Sequence, residues 1–248
     1  KTFTFLEMFG VGRIEDLNIA ERWRSNDPVT SLAVPIGIGT DGAEFMLDLH
    51  QKYQGPHGLV AGTTGSGKSE FLLTYVLSLA VNFHPDEVAF LLIDYKGGGL
   101  AGAFDDLQNQ IHLPHLIGTI TNLDGAAINR SLISIQSEVL RRQKIFNDAK
   151  SLAGEGTMDI YSYQRLYRSG VVKEPMPHLF IISDEFAELK QQQPDFLHGQ
   201  VIFQCHRLHV GLQQLAFPEQ IQQQSFPFHG LSRNADPLIS QLLGAGQN

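Results

Sequence analysis

Eight consecutive residues, Gly62-Thr63-Thr64-Gly65-Ser66-Gly67-Lys68-Ser69, constrain this chain more than any other stretch. The apolar run Gly58-Leu59-Val60-Ala61 leads into them, and Phe71, Leu72, Tyr75, Val76, Leu79, Ala80 and Phe83 follow at helical spacing. Strand, glycine-rich loop and helix in that order are the setting required by the phosphate-binding pattern G-x-x-x-x-G-K-[ST]. Glycines let backbone N–H groups turn inward and approach phosphate oxygens with no Cβ in the way. The N-terminus of the following helix adds a favourable dipole for an anion. In that reading Gly62, Thr63, Thr64, Gly65, Ser66 and Gly67 cradle the phosphates, Lys68 reaches the β- and γ-phosphates, and the Ser69 hydroxyl ligates Mg²⁺. The plain alternative, a glycine-rich surface turn, does not account for the flanking strand and helix patterns. The chain is therefore expected to bind a nucleotide, ATP with Mg²⁺.

A second segment completes the pattern. Leu179-Phe180-Ile181-Ile182-Ser183-Asp184-Glu185 is a buried strand ending in two acids. An aspartate at such an end can hold Mg²⁺, and the next glutamate, pointing elsewhere, can orient or deprotonate an attacking water. Asp184 is thus the expected metal residue, and Glu185 with Lys68 the expected catalytic pair. Residues 88–94 and 116–120 read as further buried strands. Helices are expected over 128–146, with Asp124 as N-cap, and over 157–168. Alternating strands and helices indicate a doubly wound α/β domain with its ligand at the strand C-termini.

Residues 1–57 form an N-terminal extension, with a strand expected over 3–8, a helix over 14–23, and a hairpin whose arms at 32–38 and 45–49 flank Gly39-Thr40-Asp41-Gly42. The core is placed at 58–196. From about residue 191 the composition changes: no lysine follows Lys190, and the only acids after Asp195 are Glu219 and Asp236. Residues 197–248 are left as an irregular tail, with one short helix over 238–243.

Composition sets outer bounds. A net charge of −8 does not favour a broad nucleic-acid surface. The single cysteine, Cys205, excludes an intrachain disulfide and fits a reducing compartment. The histidines show no metal-ligand spacing. Arg141-Arg142 reads as a solvated helix face, and Asp94-Tyr95-Lys96-Gly97-Gly98-Gly99 as a loop that lets a ligand or subunit approach closely. With no initiator methionine before Lys1, the chain is expected to be a fragment.

The run from Gly58 to Gly99 and Leu113-Pro114-His115-Leu116 resemble the FtsK/SpoIIIE class of motor ATPases. Thr4-Phe5-Leu6-Glu7-Met8, Ala20-Glu21-Arg22-Trp23, Gly118-Thr119-Ile120-Thr121-Asn122-Leu123 and the stretch from Pro177 to Leu189 are similar, more narrowly, to the type VII secretion ATPases called EssC, EccC or YukB. The resemblance covers residues 3–196. It implies a RecA-like P-loop core in one of several tandem ATPase modules of a membrane-anchored protein. It also implies hexameric rings, contacts with secretion-channel membrane components, and export of small helical WXG100-type proteins. After Pro194-Asp195-Phe196 the family's motifs stop, including those that supply its remaining core strands, polar sensor and arginine finger. A shifted reading frame, an engineered replacement and a divergent terminus are the three readings of that change. Two other functions stand beside the secretion motor: an FtsK-like DNA translocase, against which the acidic balance weighs, and a nucleotide-binding regulatory or docking module that hydrolyses little.

Overall fold

The computed structural model describes residues 3–63, 65–94, 99–106, 108, 111–121, 125–153, 157–184 and 211–212. Its centre is a parallel sheet of β3 (Val88–Asp94), β6 (Leu116–Ile120), β7 (His178–Asp184) and β8 (Gly211–Leu212), in the order β6-β3-β7-β8. β3 and β7 run in register along their whole length, from Val88 beside His178 to Asp94 beside Asp184. Side chains of a strand point alternately to opposite faces. Phe90, Leu92, Phe180 and Ile182 accordingly enter one apolar cluster, and Ile93, Leu179 and Ile181 another. Being buried on both faces is why these strands read as unbroken apolar runs.

Helix α3 (Lys68–Asn82) covers the first face. It is buried nearly all round, including Thr74, Ser78 and Asn82, because the N-terminal residues pack on its far side. These comprise α1 (Phe5–Met8), a 3-10 turn at Ile14–Leu17, α2 (Ile19–Ser25) and the hairpin of β1 (Val34–Ile38) with β2 (Glu44–Leu47). Phe5, Met8, Leu17, Val34 and Ile36 share one cluster with Leu72, Val76 and Leu79 of α3. Helices α4 (Gly125–Asp148) and α5 (Ile160–Arg168) cover the second face.

The three core strands and the hairpin lie where the sequence places them, and α5 begins at Ile160 behind an Asp159 N-cap. Asp124 lies outside the described residues, as does 238–243. Three expectations change and one element is new. Residues 3–8 are not a strand: Thr4 and Glu7 form a reciprocal capping box that starts α1. The helix expected over 14–23 is broken at Asn18, whose φ of 50° is left-handed. A two-strand antiparallel pair, β4 (Asp105–Asp106) with β5 (Ile111–His112), is an addition. Finally, Gly58–Ala61 has no ladder among the described residues, and Leu59 is 46% exposed. A strand needs a neighbour, and beyond β7 the described sheet offers only the two-residue β8.

Candidate nucleotide site

The loop before α3 owes its shape to glycine. Gly65 (φ +79°) and Gly67 (φ +91°) occupy the left-handed region that costs other residues about 1–2 kcal/mol. A Cβ on Gly62 would collide with Ser66 Oγ and lie 3.2 Å from Ser66 Cβ. The Ser66 N–H donates to Thr63 O at 3.1 Å, closing the turn. Gly67 begins α3 with no side-chain cap, so the first-turn N–H groups keep their capacity for an external acceptor.

Lys68 arches back over the loop, its Nζ donating to Gly62 O at 2.8 Å and Thr63 O at 3.3 Å. The Ser69 hydroxyl donates to Asp184 Oδ2 at 3.1 Å. Two residues 115 positions apart are thus brought together because α3 and β7 share one apolar cluster, with Tyr75 edge-on to Phe180. Their spacing suits a magnesium ion. Ligands at 2.0–2.1 Å in an octahedron place adjacent oxygens about 2.9 Å apart. A hydroxyl and one carboxylate, with phosphate oxygens and water for the rest, is the donor set this small, hard cation takes. Among the described residues no cluster of three or more His, Cys, Asp or Glu could hold a metal, and a site of this kind needs none.

Asp94 ends the strand beside Asp184 but does different work. It is buried, and its Oδ2 accepts from the Leu100 N–H at 2.9 Å and the Ala101 N–H at 3.4 Å. The carboxylate anchors the return of the glycine-rich loop to the core. Thr64, Glu185 and Tyr95 to Gly98 lie outside the described residues.

The pairing of Arg141 and Arg142 as a solvated face is corrected. Arg141 is partly exposed and bridges Glu138 and Glu174 at 2.7 Å each. Arg142 is 2% exposed and donates to Glu138 Oε1 and to Pro177 O, both at 2.7 Å. Burial pushes the Glu138 carboxyl up, but hydrogen bonds from both arginines outweigh it and the group sits below its ordinary value. Glu138 four residues before Arg142 was the sequence signal for this pair. Ala20-Glu21-Arg22-Trp23 stands out in the sequence, but nothing in it says that Arg22 and Trp23 meet the C-terminal end of α3. A cleft of about 490 Å³ between α4 and β6, lined by Thr119, Ile120, Arg130, Ser134 and Ile135, is separate from the phosphate loop.

The profile of the FtsK/SpoIIIE family matches residues 16–209. The chain is 54% identical over 196 residues to the type VII secretion system protein EssC of Staphylococcus aureus, an alignment that spans 79% of this chain and 12% of that protein. Among solved structures it resembles the cytoplasmic domain of the Thermomonospora curvata type VII secretion ATPase EccC, with TM-score 0.71 and 33% identity over 85% of this chain and 24% of the other. It also resembles Thermomonospora curvata EccC (ATPases 2 and 3) in complex with a signal sequence peptide, with TM-score 0.56 and 27% identity over 73% of this chain and 30% of the other. With well over half of its residues matched, the chain belongs to the FtsK/SpoIIIE family of P-loop ATPases.

Proposed function

We propose that this chain is an ATP-binding, ATP-hydrolysing motor module of a type VII secretion system. The observation that carries the reading is the Ser69 Oγ–Asp184 Oδ2 contact of 3.1 Å beside an uncapped helix N-terminus. Gly62, Thr63, Thr64, Gly65, Ser66 and Gly67 cradle the phosphates. Lys68 leaves its carbonyl partners for the β- and γ-phosphates, exchanging neutral acceptors for charged ones. Ser69 and Asp184 hold Mg²⁺, whose charge would neutralise the phosphate oxygens during transfer. Glu185 orients the attacking water. Residues 1–57 act as an extension of this module, through the core they share with α3.

Ring assembly with other copies and with adjacent modules completes the charge stabilisation at the site. The exported partners are small helical WXG100-type proteins. This rests on the EssC and EccC relatives, one of which was solved with a signal sequence peptide. The module works on the cytoplasmic side of a membrane-anchored protein. No described helix is long and apolar enough to cross a membrane.

The test is Mg-ATP turnover of the chain and of Glu185→Gln, at concentrations that permit oligomers. Turnover abolished by the substitution, with ATP binding retained, supports the motor. Equal and negligible rates would turn the reading to a nucleotide-occupied docking module.

A further inference from the structure

Resting on that nucleotide reading, we infer that Trp23 and Asn26 of the N-terminal extension are positioning residues for the magnesium–phosphate site, acting through the axis of α3. α3 is 15 residues long, so at about 1.5 Å per residue its ends stand about 22 Å apart. Its N-terminal end carries Lys68 and Ser69. At its other end the last carbonyls have no intrahelical donors. Side chains from α2 and the residue after it supply them. Trp23 Nε1–H donates to Ala80 O at 2.9 Å, and Asn26 Nδ2–H donates to Asn82 O at 2.9 Å and to Asn82 Oδ1 at 3.2 Å. Arg22 Nη1–H donates to the same Asn82 Oδ1 at 3.2 Å.

These bonds do something that the apolar packing of α3 cannot. Hydrophobic contact is non-directional, so it fixes how far the helix stands from the sheet but only weakly where it sits along its own axis. Hydrogen bonds to its terminal carbonyls are directional and set that axial position. The Ser69–Asp184 spacing depends on it directly, because Ser69 rides on α3 and Asp184 on β7. The anchor is itself tied to the sheet: Arg168, at the end of α5, donates to Asn26 O and pairs with Glu87 beside β3. A chain of polar contacts therefore runs from the start of β3, through Arg168 and Asn26, to the far end of the helix that carries the phosphate loop.

The discriminating experiment is calorimetric titration of the full chain with ATP, in saturating Mg²⁺ and in EDTA, well below the melting temperature. Trp23→Phe keeps an aromatic ring and deletes the N–H. Losing one such bond should weaken ATP binding in Mg²⁺ about fivefold and leave binding in EDTA unchanged. Asn26→Ser, which shortens the donor out of reach of Asn82, should do the same and serves if Trp23→Phe does not fold. A lower melting temperature with an unaltered ratio of the two affinities would reduce both residues to structural caps and overturn the inference. Failure of the unsubstituted chain to bind ATP at all would instead remove the nucleotide reading, and this inference with it.

Discussion

Among the described residues, the two ends of the central sheet differ in how polar groups tie them together. At the C-terminal ends of the strands, the Ser69 hydroxyl of α3 meets the Asp184 carboxylate of β7, and Lys68 donates to two backbone carbonyls of its own loop. At the N-terminal ends, polar groups interlock densely. Glu87 O accepts from His178 N–H at 2.7 Å and from Gln164 Nε2–H at 2.9 Å, and Gln164 reaches Met176 O at 3.0 Å. The Glu87 carboxylate pairs with Arg168, Tyr167 donates to Asp86 at 2.7 Å, and Arg142 donates to Pro177 O at 2.7 Å. The Tyr167 hydroxyl is pushed up to about 12, chiefly by its hydrogen bond to Asp86. Among the described residues the polar network gathers at the N-terminal ends, while Lys68 and Ser69 at the phosphate loop can exchange their partners for a ligand.

The sharpest way to break this contrast is at Gln164, which is fully buried. Gln164→Ala strips two buried carbonyls of a donor and should cost about 3 kcal/mol. Denaturant unfolding measures that loss. ATP affinity of the folded fraction should stay unchanged, because Gln164 bonds the Glu87 and Met176 carbonyls and not the Arg168–Asn26 contacts that reach α3; a fall would extend the coupling to the whole network. The converse substitution is Lys68→Ala. Deleting a charge-assisted contact to phosphate should weaken ATP binding about thirtyfold, while the unfolding midpoint stays put. A large stability loss would show that the loop depends on the lysine for its own shape.

The N-terminal end of the sheet should also respond to acid. Burial pushes the His115 imidazole down to about 4, with the Phe83 carbonyl opposing and His84 reinforcing the shift. Its Nε2–H donates to Phe83 O at 2.7 Å. The folded state thus binds a proton less readily than the unfolded chain, whose histidine titrates at its ordinary 6.5. Stability is fully present above that value and falls as pH drops toward about 4. Between pH 6.5 and pH 5 the loss should be about 1–2 kcal/mol. Unfolding curves of the chain and of His115→Leu at each pH check this, since the substitution should flatten the dependence over that interval.

How much of this was legible in the sequence follows from whether the signal is local. Val88–Asp94 and His178–Asp184 lie between two apolar layers, so each declares itself as a run. The hairpin was legible because Asp41-Gly42 turns the chain within a few residues. The phosphate loop is contiguous, and its glycine positions carry their reason in φ. Residues 3–8 were misread because four apolar-rich positions fit either period, although Thr4 and Glu7 held the capping signal. The network at the N-terminal ends of the strands was invisible for a different reason. Glu87 meets Gln164 and Arg168 across 77 and 81 positions, and only the parallel pairing of β3 with β7 brings them together. Arg141 and Arg142 look alike in sequence; the 100° step between neighbours on a helix sends one to solvent and one under Pro177.

The smallest expected effect separates two explanations of how the N-terminal extension reaches the site. α2 carries Trp23 toward α3, while Arg24 and Glu21 pair on its outer side at 2.8 Å, with side chains 72% and 66% exposed. An exposed pair three residues apart on a helix gains little, because water screens it and ordering two long side chains offsets the attraction. Arg24→Ala should therefore change stability by less than about 0.5 kcal/mol. It should also leave the ratio of ATP affinities with and without Mg²⁺ as it was. If Arg24→Ala shifted that ratio as far as Trp23→Phe, the coupling would lie in the helical order of α2 as a whole. If it does not, the coupling lies in individual donors meeting individual carbonyls, and the outer face of α2 is free to vary without reaching the phosphate site.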